Sequence, residues 1–481
     1  MRTFIRALAA FSLVIPLVVA CNDDPDADNP GGGATAGEGG DGGTSTGGKN
    51  TSGTSTGGKN TSGTNTGGVG GDPMTPQGGG GAGPVVAACD LDALEDGGTV
   101  GTSGTLESGH SYLLEGITKV TETLTIEPCV VVYGDTATKG TLVVMPGGEL
   151  VAEGEVDAPI IFTSQADPGE RAPGDWGGIM LLGNGSCNDA TSGAACQIEG
   201  LTDGTSFGAI EAGADNEASS GSLKYVRIEY PGVDLDGQGN EINGLTLAGV
   251  GSDTTISHVM VSNTLDDCFE VFGGAVNMDH VVAHNCGDDM FDTDNGYSGK
   301  VQFAFGKQVT TITADPSGFE MDNDKTALDK APISTPKFAN VTLCGAADSA
   351  SGPSVGMVLR NGTDGAIVNA LVTGFAAGAS VRNVPNTGIT VTGSLVFENT
   401  AIFDATHAGG ATWLTDQDGN ATAAPADFGD CFAAVPEPFP AAEIEGLEPT
   451  GHADETAKFV GAFADADGNW MTGAWVDWAT E

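Results

Sequence analysis

A short pattern of alternating side chains recurs six times in the second half of the chain. Each segment has mainly apolar residues at its first and third positions and often charged residues at its second and fourth, as a strand with one buried face requires. The steps between segments are 24, 22, 28, 38 and 22 residues, and the segments begin at Leu245, Phe269, Phe291, Phe319, Met357 and Ala379. A constant pattern with variable spacing predicts stacked strands with loops inserted between them.

A second strand pattern recurs at compatible offsets. The step from His258 to His280 is 22 residues, as is the step from Phe269 to Phe291, and the segments of this second set begin at Tyr225, His258, His280, Asn340 and Asn369. Two strands that advance together favour an all-β fold, a right-handed parallel β-helix, over an antiparallel sandwich. We therefore expect one solenoid domain over residues 88–481, including a C-terminal cap at about 430–481.

The N-terminus has the features of an export signal. Arg2 and Arg6 precede an apolar run, residues 7–20, which is too short for a comfortable membrane span. A small residue directly before Cys21 resembles the lipobox of bacterial lipoproteins, which implies removal of a signal peptide, 1–20, and acylation of the Cys21 thiol. The alternative is an ordinary cleaved signal with an incidental cysteine. The Gly/Thr/Ser-rich residues 21–87 predict a disordered linker, anchored to the membrane by its lipid.

The charge of the chain restricts its partners. It has 65 acidic and 17 basic residues, a net charge of −48. Such a field repels nucleic acid and anionic lipid surfaces, so no nucleic-acid partner is expected and membrane contact depends on the lipid anchor. Cations and neutral or cationic surfaces are the partners that such a field favours.

Eight cysteines remain once Cys21 is set aside, an even number that suits disulfides in an oxidising compartment. None of them has the two-residue spacing of a zinc or redox site. The predicted pairs are Cys187 with Cys196, which flank a short polar loop, Cys89 with Cys129, Cys268 with Cys286, and Cys344 with Cys431.

Aligning the strands places charged side chains in outward columns. Neighbouring strands are about 4.8 Å apart, so stacked carboxylates repel unless a cation lies between them or their pKa values rise. Asp266, Asp267, Asp288 and Asp289 lead into the same strands. These oxygens predict a Ca²⁺ site, and the alternative is a solvated acidic face. The predicted calcium ligands are Glu270, Asp292, Asp294, Glu320 and Asp322.

Polar residues also recur at equivalent positions of the second strand set. His258 and His280 align with Asn340 and Asn369, which predicts a ladder of hydrogen-bonded side chains rather than a metal site. A further column of Asn295, Asn323, Asn361 and Asn383 is interpreted in the same way, as a polar ladder, and asparagine also tolerates the left-handed backbone of tight turns. The segment 465–469 begins like a calcium loop but lacks the closing glutamate, so we expect a turn there.

Several longer segments resemble a known family. Residues 158–164, Ala-Pro-Ile-Ile-Phe-Thr-Ser, are followed by Gly-Asp-Trp-Gly-Gly-Ile at 174–179, and the similarity continues through 223–230, 243–247, 288–299 and the C-terminal tryptophan-rich segment. Over roughly residues 95–481 the chain is similar to largely uncharacterised surface β-helix lipoproteins of Gram-negative bacteria. The resemblance implies the fold and a lipid-anchored place in the cell envelope, at the outer membrane or cell surface. It implies no activity.

Enzymes on this fold supply the alternative functions. Pectate-lyase-like proteins bind calcium through strand carboxylates and use an arginine as base, roles that would fall here to Asp322 and Arg360. Polygalacturonases have a Gly-His-Gly motif where this chain has Ser317-Gly318-Phe319. The sequence therefore favours a non-catalytic surface protein that binds glycans or an envelope component. The alternatives are a calcium-dependent polysaccharide lyase or glycosidase and a structural spacer.

Overall fold

The computed structural model describes residues 89–481 with gaps. The gaps are 189–194, 210–212, 236–240, 310–315, 347–353, 383–387, 397–401, 404–413, 415–418, 422–430, 433–440, 443–453, 466 and 480–481. The predicted signal peptide, Cys21 and the linker lie outside the described residues. Within those residues, no helix is long and apolar enough to cross a membrane.

Apart from one 3₁₀ turn at Leu91–Ala93, the regular secondary structure of the described residues consists of short strands. In chain order the strands are β1 (Glu95–Thr99), β2 (Gly104–Leu106), β3 (His110–Leu114), β4 (Ile117–Val120), β5 (Thr123–Ile126), β6 (Val131–Gly134), β7 (Thr141–Val144), β8 (Glu149–Glu153), β9 (Ile160–Ser164), β10 (Gly178–Leu182), β11 (Cys196–Gln197), β12 (Ser206–Phe207), β13 (Gly221–Glu229), β14 (Val233–Asp234), β15 (Glu241–Ile242), β16 (Leu245–Ala248), β17 (Thr255–Ser262), β18 (Phe269–Phe272), β19 (Asn277–His284), β20 (Phe291–Asp294), β21 (Lys300–Lys307), β22 (Ser317–Met321), β23 (Lys337–Cys344), β24 (Val355–Leu359), β25 (Ala366–Thr373), β26 (Ser380–Val381), β27 (Thr390–Thr392), β28 (Leu395–Val396) and β29 (Ile402–Phe403).

Two long parallel sheets run along the molecule. Sheet A has 15 strands, with the main order β1-β3-β6-β9-β13-β17-β19-β21-β23-β25-β27, and sheet B has 10 strands, in the order β29-β26-β24-β22-β20-β18-β16-β10-β7-β4. The chain passes alternately from one sheet to the other, and each strand pairs with the corresponding strand of the next coil. This is the predicted parallel β-helix.

Sheet B confirms the predicted alignment of the first strand set. Leu245 pairs with Phe269, Phe269 with Phe291, Phe291 with Phe319, and Phe319 with Met357. Their side chains point inward, and the rings of Phe269 and Phe291 stack 5.2 Å apart. Each buried phenylalanine contributes roughly 2–3 kcal/mol through removal of its ring from water.

Sheet A confirms the second strand set and adds a strand that the sequence analysis missed. Strand β21 lies between β19 and β23 and places Phe303 where the neighbouring strands have His280 and Asn340. Residues at this position adopt left-handed backbone, with φ between 50° and 58°, and they are Tyr225, His258, His280, Phe303, Asn340 and Asn369. We call this set the ladder column. A left-handed residue bends each strand at the same point, so every coil turns its corner alike.

Three of the four predicted disulfides are present. They join Cys89 to Cys129, Cys187 to Cys196 and Cys268 to Cys286. The fourth prediction, Cys344 with Cys431, was wrong, because the structure does not join these two residues by a disulfide. Cys344 is buried at the end of β23, and Cys431 packs among apolar side chains on the outer face of sheet A.

The described part of the predicted C-terminal cap does not close the end of the β-helix. Residues 454–479, apart from 466, run back along the outside of sheet A, and we call this segment the strap. The Gly461 amide donates to the Asn369 carbonyl at 2.9 Å, and the Ala474 amide donates to the Val156 carbonyl at 2.9 Å. The strap thus spans the coils from β25 back to β8. Within it, the amide of Gly468 donates to Asp465 Oδ1 at 2.7 Å, as expected of a turn.

The strap covers an outward column of sheet A that is apolar at its centre. This column consists of Arg227, Met260, Val282, Phe305, Thr342 and Leu371, which are neighbours in register on successive strands. Met260, Val282 and Phe305 pack against Phe463, Met471 and Trp475 of the strap. Outward apolar side chains need cover, which explains why the C-terminal segment lies at the side of the solenoid.

Two excursions cover the outer face of sheet B at its earlier coils. They are residues 183–188 and 195–209, with the Cys187–Cys196 disulfide and the β11–β12 hairpin, and the β14–β15 hairpin. Their apolar side chains contact Met180, Ala248 and Phe272. Beyond Phe272 the outward residues of sheet B become charged, and the candidate site begins.

Candidate functional site

The candidate site is built on the outward residues of β18, β20, β22 and β24. Glu270 pairs with Asp292 and Asp292 with Glu320, as predicted. These three residues are only 5%, 5% and 8% exposed. These three members of the acidic column are therefore largely buried, whereas Asp294 and Asp322 are partly exposed.

Arg360 occupies one end of this column. Its Nη2 donates to Glu320 Oε1, and its Nε donates to Asp322 Oδ1 at 3.0 Å and Oδ2 at 3.1 Å. Asn361 Nδ2 also donates to Asp322 Oδ2, at 3.2 Å. Two of the predicted calcium ligands thus bind a guanidinium group. A guanidinium held by two carboxylates stays protonated and is a poor base.

At the other end, three carboxylates come together in the interior of the wall. The ligand oxygens of Asp267, Asp289 and Asp292 lie within 4.8 Å of one another, and all three residues are buried. A second trio, Asp266, Asp267 and Asp288, satisfies the same limit and is less buried. Asp267 and Asp289 were part of the acidic cluster that predicted a calcium site, but they were not among the five named ligands.

Backbone amides hold these carboxylates in place. The Asp289 amide donates to Asp267 Oδ1 at 2.7 Å, and the Ser317 amide donates to Asp289 Oδ1 at 2.8 Å. The pKa of Asp267 is raised well above its ordinary value, first by burial and then by the charges of Asp289, Asp266, Asp292 and Glu270. Such a group either keeps a proton or has a cation beside it.

Thr246 extends the column beyond Glu270. It pairs in register with Glu270, is completely buried, and its Oγ1 has no hydrogen-bond partner among the described residues. Asn243 Nδ2 donates to Glu270 from the adjacent coil. Carboxylate and hydroxyl oxygens without nitrogen or sulfur ligands are the chemistry that Ca²⁺ prefers.

A strip of planar polar groups borders the acidic column. Asp294, Asp322, Arg360 and Arg382 follow one another on successive strands: the Asp322 amide donates to the Thr293 carbonyl, the Arg360 amide to that of Met321, and the Arg382 amide to that of Leu359. We call these four residues the polar strip. They are partly exposed. Carboxylate and guanidinium groups of this kind can form paired hydrogen bonds with the hydroxyls of a sugar.

The predicted asparagine column behaves as expected only in part. Asn295 and Asn361 have φ values of 56° and 52°, so they do occupy left-handed turns. Asn323 instead donates from Nδ2 to the carbonyls of Leu328 and Lys330. Asn383 lies outside the described residues.

The hydrogen-bonded ladder predicted on sheet A is present only in part, because the ring-bearing residues pack face against face. The rings of Tyr225, His258, His280 and Phe303 stack, with centroids 4.5, 4.4 and 4.8 Å apart in that order. The asparagines bind the C-terminal part of the chain instead: Asn340 Nδ2 donates to the Phe459 carbonyl of the strap at 2.7 Å, and Asn369 Nδ2 donates to the Ala442 carbonyl, outside the strap, at 3.0 Å. The ladder column is therefore a stack of rings followed by amides that bind C-terminal residues.

Ser257 and Asp279 connect the two histidines. His258 Nδ1 lies 2.9 Å from Ser257 Oγ, which donates to Asp279 Oδ1 at 2.7 Å, and His280 Nδ1 lies 2.5 Å from the same oxygen. His258, Asp279 and His280 are close enough to bind a metal ion. Their rings are, however, nearly parallel, at 10°. Stacked rings direct their lone pairs side by side rather than toward one point, which favours the hydrogen-bonded network.

Comparisons with known proteins agree with this architecture. The model of the family described as "pectate-lyase like beta helix domain" matches residues 98–429. No curated protein and no solved structure matches the chain. The matched range includes both sheets, the acidic column and the polar strip. On this match, the chain belongs to the pectate-lyase-like β-helix family.

Proposed function

We propose that this chain is a lipid-anchored protein of the bacterial cell envelope whose β-helix binds glycans without cleaving them. The family fits a carbohydrate-binding or lyase-like protein. The observation that favours binding is the state of Arg360, whose guanidinium is bonded to both Glu320 and Asp322. In this arrangement Arg360, which would be the base of a lyase, is a fixed and charged hydrogen-bond donor.

The polar strip supplies the glycan contacts in this proposal. It lies on a half-buried face beyond the excursions that cover the earlier coils of sheet B, and its groups repeat at the spacing of the strands. A linear glycan can follow such a repeat along the solenoid. Because the chain carries a net charge of −48, we expect neutral or cationic glycans to bind better than polyanionic ones.

Calcium is part of the proposal. We assign it to the buried carboxylates of Asp267, Asp289 and Asp292, with Glu270 on the same face together with the Thr246 hydroxyl, which has no hydrogen-bond partner in the described part of the chain. Asp294, Glu320 and Asp322 from the predicted set are left out, the last two because Arg360 already neutralises them. In this role the ion stabilises the wall on which the polar strip is built, and takes no part in a reaction.

A glycan array tests the main proposal. The full chain, in detergent, should bind a limited group of neutral or cationic glycans, and Arg360→Gln should weaken that binding at least tenfold. Arg171→Gln is the matched control and should bind normally, because it removes a guanidinium that is bonded to the Ala166 carbonyl in a different coil. Binding of no glycan at all, with or without calcium, would favour the structural spacer.

The lyase remains the second candidate, because a guanidinium beside two carboxylates is also a lyase-like arrangement. Incubation with acidic polysaccharides and calcium, followed by detection of unsaturated products, tests it. Products that disappear in Arg360→Ala would replace the binding proposal by an enzymatic one.

A further inference from the structure

The strap lies directly on the histidines of sheet A. Trp475 contacts His258 edge-on with ring centroids 5.2 Å apart, and Trp470 contacts His280 at 4.9 Å. Trp478 contacts a third histidine, His284, at 5.1 Å. Three aromatic residues of one 26-residue segment therefore cover three imidazoles on two neighbouring strands.

The surroundings of His258 do not favour a positive charge on its imidazole. Lys224 and His280 lie near it, and Asp279 is the neighbouring anion. Burial, followed by the charges of His280 and Lys224, lowers the pKa of His258 to about 4, against the opposing influence of Asp279. Tyr225 stacks on the other face of the ring and supplies no compensating charge.

His284 is enclosed more tightly. It is 1% exposed, and its Nδ1 has no hydrogen-bond partner among the described residues. Lys307 on the next strand opposes a positive charge, and Asp477 of the strap favours one. Burial is the largest effect, and with Lys307 it lowers the pKa of His284 to about 4. Protonation would place an N–H group where no acceptor faces it.

The strap is incompletely bonded at this point. Trp475 is completely buried, yet its Nε1 donor has no partner among the described residues. The ionic contact of this part of the strap is Arg227 with Asp477, at 3.0 Å, and Arg227 is also bonded to Glu229. Apolar packing therefore provides most of the attachment beside the histidines.

We propose that the strap is a pH-sensitive latch that separates from sheet A in acid, when His258 and His284 are protonated, and uncovers the stacked rings and the column of Met260, Val282 and Phe305. Neutral imidazoles fit beneath the strap, whereas imidazolium ions gain water by leaving it. The rest of the β-helix is held by its own strand pairing and stays folded. The latch is independent of glycan binding on sheet B.

Proton linkage determines how the closing equilibrium of the strap depends on pH. A histidine whose pKa is depressed in the closed state binds fewer protons there, so closure is fully favoured above pH 6.5 and weakens as pH falls toward 4. For a shift from 6.5 to about 4, the closing equilibrium falls roughly a hundredfold per histidine by pH 4.

Tryptophan quenching tests the latch, because Trp470, Trp475 and Trp478 all belong to the strap. Acrylamide quenching of the full chain in detergent should rise between pH 6.5 and 4 while the far-ultraviolet circular dichroism of the β-helix is unchanged. His258→Asn with His284→Gln should remove most of that rise, since asparagine occupies the same ladder position at Asn340 and Asn369. His110→Asn, at a histidine of β3 far from the strap, is the matched control and should leave the rise unchanged.

Three outcomes would overturn the latch. Quenching that is the same at pH 7 and pH 4 would show that the strap stays closed. An unaltered rise in the double variant would assign the transition to other groups, and Asp477→Asn would then test the ion pair to Arg227. Loss of the β-helix signal at the same pH as the rise would mean that the whole domain unfolds rather than the strap alone.

Discussion

The outer faces of the two sheets differ in their outward residues and in what lies against them. On sheet A, outward residues that are apolar or aromatic, such as Met260 and Phe305, are covered by the chain's own strap. On sheet B, the outward residues of β18, β20 and β22 include Glu270, Asp292 and Glu320, and Arg360 neutralises Glu320 and its neighbour Asp322. The inward residues of both sheets belong to one continuous apolar core.

This difference shows that the inward and outward positions of the repeat have separate roles. The inward positions specify the coil, and any large apolar side chain in register satisfies them. The outward positions specify what lies against each face, an intramolecular partner for sheet A and, in our proposal, ions and glycans for sheet B. Substitutions on the two faces should therefore act on different properties.

The largest effect is expected where sheet A meets the strap. Trp475→Ala removes a completely buried indole and should lower the free energy of unfolding by about 3–5 kcal/mol, because it leaves a cavity between strap and sheet. Urea denaturation measures this. Ile117→Ala, at a residue of β4 that is 46% exposed, is the control and should change stability by less than about 0.5 kcal/mol. A loss below 1 kcal/mol for Trp475→Ala would mean that the strap is not packed as described.

On sheet B the largest effect should be electrostatic. Arg360→Met leaves Glu320 and Asp322 without their cation and should cost about 2–3 kcal/mol, less than for a fully buried pair because the Arg360 side chain is 19% exposed. Adding Glu320→Gln and Asp322→Asn should recover most of the loss. If the triple variant is no more stable than Arg360→Met, packing rather than charge holds this end of the column.

A smaller effect, that of Asp267→Asn on the stability of the fold, should depend on whether calcium is present. The pKa of Asp267 is raised by folding, so its ionised form opposes folding increasingly as pH rises from 3.8 toward the folded pKa. Asp267→Asn keeps an oxygen for the Asp289 amide and should stabilise the calcium-free protein at neutral pH by about 1 kcal/mol. In millimolar calcium the unmutated chain should gain stability by mass action and the variant should not.

Thermal denaturation with a chelator and with calcium measures both effects. Asp253→Asn, at an exposed carboxylate of a turn, is the control and should respond to calcium like the unmutated chain. If calcium does not raise the melting temperature of the unmutated chain, the three buried carboxylates share protons rather than an ion.

The smallest effect on either face should come from Cys21→Ser. The proposed acylation site lies outside the β-helix, so the melting temperature and the acid transition of the strap should both be unchanged. Detergent phase partitioning should nevertheless move the protein from the detergent phase to the aqueous phase. If the processed variant still enters the detergent phase, another part of the chain holds the membrane.

The sequence contained the fold because inward apolar residues repeat in register. The alignment of Leu245, Phe269, Phe291 and Phe319 was correct to the residue, since a one-residue slip would turn every one of these side chains outward. Strand β21 was missed because Phe303 replaces the histidine or asparagine that marked its neighbours.

The site was predicted less well, because it depends on turns and on distant segments. Strand alignment placed Glu270, Asp292 and Glu320 in one column, but the turns before the strands decide that Asp267 and Asp289 converge on Asp292. The paired acidic residues at 266–267 and 288–289, separated by 22 residues, were the available signal. No local pattern predicts that the strap returns over sheet A, since its contacts join residues far apart in the sequence, as the pair of Arg227 and Asp477, separated by 250 positions, does.

The route of the strap has a mechanical consequence. A solenoid is a nearly one-dimensional array in which each coil contacts only its neighbours, so it can fray from either end one coil at a time. Here a second connection runs outside the array from the coil of Asn369 to that of Val156. Opening any coil between them also strains this connection, so a force on one spanned coil is shared with the others through the strap. The spanned coils should resist pulling, and unfold, as one unit.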